Sequence, residues 1–149
     1  MRQQLATLHK MLLNMVRADP VCRRFMTVPG VGPVVALAYR ASVYQPHRCV
    51  HSRDFGAHAG LTPKQYQSGE IDYDGGISKC GDAMLRTMLY EAAQSMLTHS
   101  QNGRGLRHGR CGLHGGATVA LARRIAVILH RMWIDGTDFR FSNSATKAA

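Results

Sequence analysis

Carboxylates are scarce in this chain. Nine Asp and Glu stand against nineteen Lys and Arg, which leaves a formal charge of +10 over 149 residues with the histidines neutral. Such an excess works against compaction through self-repulsion and suits a polyanionic partner, nucleic acid first and an anionic membrane second. Long apolar runs are missing too: none approaches the ~20 residues of a membrane-spanning helix. The opening MRQQLATLHKMLLNMVRADP is polar throughout and has no small-residue cleavage site, so it does not read as a signal peptide. A cytoplasmic protein without a membrane partner is expected. No C-x-x-C pair occurs; Cys22, Cys49, Cys80 and Cys111 are widely spaced, as reduced, partly buried thiols would be. Cys111 with His114, and Cys49 with His51, could each give two zinc ligands, but neither pair repeats at zinc-finger spacing, and no structural metal is expected. No internal repeat is present. What remains, 45% apolar, is enough for one ordinary domain with a real core.

The apolar pattern is helical. Leu5, Leu8, Leu12 and Met15 fall at spacings of a coiled-coil seam, but over too few heptads for a sustained coil, so residues 1–18 form one amphipathic helix or a coiled-coil stub. Asp19-Pro20 stops it and starts the next helix, with Asp19 as N-cap and Pro20 in the first helical position. Pro29-Gly30-Val31-Gly32 is too glycine-rich to continue a helix, and Pro33 suits the first turn of a new one. The pattern is a helix-hairpin-helix, whose glycines let backbone approach a phosphate beside a helix N-terminus. A plain turn between helices is the alternative.

A short helix is expected near Ser52, broken by Gly60 and Pro63. Residues 64–81, polar and glycine-rich, read as an irregular loop or a short hairpin. Asp82 then caps a helix whose Leu85, Met88, Leu89, Ala92 and Met96 make one apolar face, with Arg86 directed elsewhere. Residues 100–116 read as a basic, flexible loop. In the last helix Leu121, Ile125, Ile128, Leu129 and Met132 line one side. Arg123, Arg124, His130 and Arg131 gather on the other, either as a solvated face or as one that meets phosphates. The fold expected is mainly α: a compact helical domain over 19–141 and a disordered tail at 142–149.

The ordered series Val28-Pro-Gly-Val-Gly-Pro33, Ala59-Gly-Leu-Thr-Pro63, Tyr66-Gln-Ser-Gly-Glu70, Gly76-Ile-Ser-Lys-Cys-Gly81, Leu85-Arg86 and Glu91-Ala-Ala93 resembles the C-terminal transposase domain of an insertion-sequence family. Full-length members of that family pair this module with a RuvC-like DEDD nuclease domain, and some use a bridge RNA as guide. The closing VALARRIAVILHRMWIDGTDF is similar to the family's C-terminal helix. The resemblance implies DNA as partner, with a guide RNA, a DEDD domain supplied in trans and a second copy of the chain as further candidates. It implies that Ser68 attacks a DNA phosphodiester and holds the strand as a phosphoserine, with Ser78 the second choice; on residue type alone, Ser68 is a turn residue. A serine ester keeps the energy of the phosphodiester, so rejoining needs no nucleotide cofactor. The transition state wants cations, for which Lys64, Lys79 and Arg86 are candidates. Glu70, two residues from Ser68, is the nearest candidate base. Glu70, Asp72 and Asp74 alternate as Mg²⁺ ligands could, but a solvated loop edge is the favoured reading. No cofactor is expected in this chain, Mg²⁺ entering only with the DEDD domain. Residues 101–116 depart from the Lys- and Arg-rich helical segment expected there, and no DEDD carboxylates precede the domain, so a truncated copy, nearly inert alone, is expected. A non-catalytic helix-hairpin-helix DNA-binding module, or an interaction domain for a separate nuclease subunit using the Leu5–Met15 stripe, are the alternatives. The DNA contacts expected are Gly30, Val31, Gly32, Lys64, Lys79, Arg86, Arg123, Arg124 and Arg131.

Overall fold

The computed structural model describes residues 2–49, 51–68, 71–99 and 114–140. Among them are six α-helices, α1 (Arg2–Ala18), α2 (Pro20–Phe25), α3 (Pro33–Ser42), α4 (Asp54–His58), α5 (Ala83–His99) and α6 (His114–Asp135), with one 3-10 turn at Pro46–Arg48. A single antiparallel pair, β1 (Pro63–Ser68) and β2 (Ile71–Ile77), completes the described part. The domain is mainly helical, and the segment left open between loop and hairpin is a hairpin.

Local chemistry sets the element ends. Asp19 accepts the Val21 amide at 2.8 Å, and Pro20, which lacks the N–H that would go unpaired there, opens α2. Asp82 accepts the amides of Met84 and Leu85 at 2.9 and 3.2 Å and so caps α5. α6 starts at His114, three residues before the alanine at which the apolar pattern begins, so His114, Gly115 and Gly116 belong to the helix and not to the basic loop. The rest of that loop, 100–113, and the tail 142–149 lie outside the described residues.

α5 runs along both α3 and α6, and α2 closes the far side. Their shared core holds Phe25, Tyr39, Leu61, Leu85, Leu89, Ile125 and Leu129, all buried. Phe25 meets Tyr39 and Trp133 edge-on, with centroids 5.3 and 5.6 Å apart. The Tyr39 hydroxyl donates to the Ala126 carbonyl at 2.8 Å, and burial pushes its pKa well above the ordinary tyrosine value. Arg40 lies 4.5 Å over the Trp133 ring and 3.3 Å from Asp19, joining α3 to α6 and to the α2 cap. Burial, helped by the Asp19 charge, raises the Cys22 thiol to about 11, which keeps it protonated and unreactive. Along α1 only part of the apolar stripe is used: Val16 is buried and Leu12 packs on the core, while Leu5, Leu8 and Met15 remain 64%, 63% and 58% exposed.

The Ser42 hydroxyl, at the end of α3, donates to the second oxygen of Asp82. That bond first, and then the Leu85 amide, hold the Asp82 carboxyl below its ordinary range. The folded pKa is below the unfolded one. Stability from Asp82 is therefore fully present above about pH 4 and is lost as pH falls through the depressed value. Ser42→Ala should cost about 1 kcal/mol at neutral pH, and its deficit should shrink as Asp82 protonates. Denaturant melts at neutral pH and at about pH 3 check this; an equal deficit at both would assign the hydroxyl a packing role only.

Candidate nucleic-acid interface

Two segments far apart in sequence meet at the root of the β1–β2 hairpin. The Ser78 amide donates to the Thr62 carbonyl at 2.8 Å, and the Lys79 amide to the Gly60 carbonyl at 3.2 Å. The backbones approach so closely that side chains are excluded. A Cβ at Gly60 would lie 2.5 Å from the Cys80 carbonyl oxygen, and one at Gly81 would overlap the His58 carbonyl. Both glycines carry positive φ, +66° and +127°. Lys79 between them adopts φ +55° as the one non-glycine residue with positive φ among those described, which turns its carbonyl toward α5. There the Arg86 guanidinium donates to the carbonyls of Lys79 and Ala59 at 3.1 and 3.3 Å. Both bonds come from the one nitrogen Nη1, which bridges the two carbonyls.

From this root the strands pair in the register Gln65↔Asp74, Tyr66↔Tyr73, Gln67↔Asp72 and Ser68↔Ile71. The ladder is irregular between Pro63 and Gln65, opposite Gly75-Gly76, where an extra residue on β2 makes a bulge. Ser68 thus occupies the end of the ladder away from the root, five residues from Pro63, or about 17 Å along the strand. Asp72 and Asp74 occupy the alternate set of ladder positions from the Ser68–Ile71 pair. Glu70 lies outside the described residues.

The expected DNA contacts fall into three groups. Lys64, Lys79 and Arg86 are together, but at the root rather than beside Ser68, with Lys64 and Lys79 exposed and Arg86 half-buried on the carbonyls. A span of about 17 Å corresponds to roughly five base-pair steps of duplex DNA, so one phosphate cannot touch both ends of the hairpin. The second group is the turn between α2 and α3. Val31 is a core residue, 6% exposed. Gly30, at φ +83°, lies against α5, where a Cβ would come 2.5 Å from the Ala92 carbonyl oxygen; the close approach that this glycine permits is to a helix of the same chain. Gly32 differs. It is the N-cap of α3, has no side-chain cap bond, and nothing lies within 4 Å of its Cβ position. The first turn of α3 is therefore open to an anion there.

The third group is α6. Arg123, Arg124 and Arg131 are exposed. Arg131 pairs with Asp135 at 3.6 Å, and the Arg123 stem lies across Gly56, where a Cβ would come 2.8 Å from its Cγ. His130 is a correction to the expected polar face. It is fully buried, 4.0 Å from the Phe55 ring, with Nδ1 2.9 Å from the Ser52 hydroxyl and Nε2 2.8 Å from the Pro46 carbonyl. A carbonyl only accepts, so Nε2 carries the proton and Nδ1 accepts from Ser52. This side chain ties α6 to α4 and the 3-10 turn and is not available to DNA. Among the described residues no three His, Cys, Asp or Glu gather as metal ligands would, and no helix is long and apolar enough to cross a membrane.

Residues 22–108 match the family described as Transposase IS116/IS110/IS902. The chain is 41% identical over 91 residues to the transposase for insertion sequence element IS1111A of Coxiella burnetii, covering 61% of this chain and 25% of that protein. It is 32% identical over 143 residues to the transposase for insertion sequence element IS1328 of Yersinia enterocolitica, covering 92% of this chain and 43% of that protein. The chain therefore spans less than half the length of these relatives.

The glycines separate by role. Gly30→Ala, Gly60→Ala and Gly81→Ala combine positive φ with a blocked Cβ and should each cost about 2 kcal/mol or more. Gly32→Ala and Gly76→Ala, with open space around them, should stay within about 1 kcal/mol. Chemical denaturation of the five variants checks the order, and a Gly81→Ala protein as stable as the parent would contradict the packed root.

Proposed function

Since the chain belongs to the Transposase IS116/IS110/IS902 family, and is part of a transposase acting in transposition, we propose that it is the segment that binds DNA and transfers the strand, with Ser68 as nucleophile. The observation that carries this reading is the hairpin root. Ala59-Gly60, Lys79-Cys80-Gly81 and Arg86, scattered through the family resemblance, converge on one backbone junction from which the strand bearing Ser68 departs. Such a junction fixes the direction of a reactive strand without contributing chemistry itself.

In this mechanism the Ser68 Oγ attacks a phosphodiester phosphorus. The serine proton passes to a base, the P–O bond to the leaving deoxyribose oxygen breaks, and a phosphoserine remains. Attack by a hydroxyl on that ester reverses the steps and rejoins DNA. Exposed Lys64 and Lys79 hold phosphates several steps away from the reacting one, and Arg123 and Arg124 meet the backbone beyond. The open first turn of α3 at Gly32 accepts a further phosphate. Mg²⁺ and its carboxylates belong to the DEDD domain that the family resemblance implies, and a guide RNA or a second copy would assemble around the same unit. The exposed Leu5, Leu8 and Met15 favour a contact with that domain or with another copy along α1.

The test is covalent trapping on a labelled DNA carrying an insertion-sequence end, with a DEDD domain and Mg²⁺ supplied. The parent should form an adduct that the isolated chain barely forms. Ser68→Ala should bind the same DNA with parental affinity and form none. Adduct retained by Ser68→Ala and abolished by Ser78→Ala would move the nucleophile to Ser78.

A further inference from the structure

Between the hairpin root and the α5–α6 pair runs a groove of about 540 Å³, lined by Leu61, Pro63, Ile77, Tyr90, Val119 and Arg123 among others. Among the described residues its walls are apolar apart from the tyrosine hydroxyl and Arg123, which is the sole charge among them. Tyr90 is 37% exposed, although it sits on the same helix as the buried Leu85, Leu89 and Ala92. The Arg123 stem is pinned across Gly56, which anchors this charged side chain beside the groove.

An exposed aromatic ring in an apolar cleft, with Arg123 beside it and no carboxylate among the described lining residues, matches one occupant closely. A nucleobase offers a flat apolar face, and the phosphates on either side of it supply the negative charge. In a duplex both faces are covered by stacked neighbours, so the platform is open only to an unpaired base. We infer that this groove binds an unpaired nucleobase of the DNA strand, stacked on Tyr90 with a flanking phosphate on Arg123. The inference rests on the DNA-binding reading above but not on the identity of the nucleophile. The groove lies at the root, so the base held there is displaced by about 17 Å along the hairpin from Ser68. It would grip a strand a few nucleotides from the reacting phosphate.

The experiment compares fluorescence anisotropy of the full chain on a labelled single-stranded oligonucleotide and on the duplex of the same sequence. Loss of one aromatic platform weakens single-strand binding by about tenfold. Tyr90→Ala should show that loss on the single strand and less than about twofold on the duplex, with Tyr90→Phe near the parent. Tyr44→Ala, at an exposed tyrosine outside the groove, should match the parent on both probes, and because no strand transfer is read, failure of the nucleophile assignment leaves this result intact. Photocrosslinking of a 5-iododeoxyuridine oligonucleotide, mapped by mass spectrometry, should place the adduct on Tyr90. Equal losses on single strand and duplex, or no loss with a crosslink elsewhere, would overturn the proposal. If the groove instead takes an apolar peptide segment, Tyr90→Ala leaves both affinities unchanged, which also overturns it.

Discussion

The root of the hairpin hangs on the Arg86 guanidinium and the two carbonyls it holds. Ala59 and Lys79 belong to segments that enter and leave the hairpin, and Arg86 reaches both from α5. Gly60 and Gly81 have no side chains to keep those backbones apart, and Lys79 takes a left-handed conformation that lets its carbonyl face inward. The Asp82 cap and its bond from Ser42 then tie the same junction to the start of α5 and the end of α3. A two-stranded ribbon is marginal by itself. Fastened in this way to buried helices, it becomes a fixed arm.

This arrangement redistributes the cations that a basic composition advertises. Arg86 is committed to the chain's own backbone, and Arg131 is shared with Asp135. Lys64, Lys79, Arg123 and Arg124 remain exposed. They lie beside the hairpin root and along α6, while Ser68 ends the ladder. A DNA strand served by this surface would be held at one end of the arm and meet Ser68 at the other.

Much of the helical frame was legible in the chain itself, because its signals are local. Asp19-Pro20 and Asp82 cap through amides two or three residues away, and the apolar faces of α5 and α6 follow helical spacing. The hairpin could not be separated from a loop, since Gly75-Gly76 and alternating polar residues weaken any strand pattern and the bulge breaks its period. Gly30 announced a backbone approach but not the partner, which is Ala92 on a helix more than fifty residues away. His130 sits at the margin of a polar stripe, and periodicity gave no hint that Pro46 and Ser52 would enclose it. The charge of Arg86 was visible in the sequence, and the two carbonyls it meets were not. Ser68 stood out only through the family resemblance, as its neighbours are those of any turn.

The claim most exposed to test is that Arg86 acts on carbonyls and not on phosphate. Arg86→Lys keeps the charge but ends one bond short of the Nη1 that bridges the carbonyls. Amide hydrogen exchange and DNA affinity, measured on the same Arg86→Lys protein, separate the two roles. The account predicts that the Ser78 and Lys79 amides, which donate to Thr62 and Gly60, lose about tenfold or more of their protection, while affinity for duplex DNA stays at the parental level. Unchanged protection at those amides with a clear loss of affinity would contradict it.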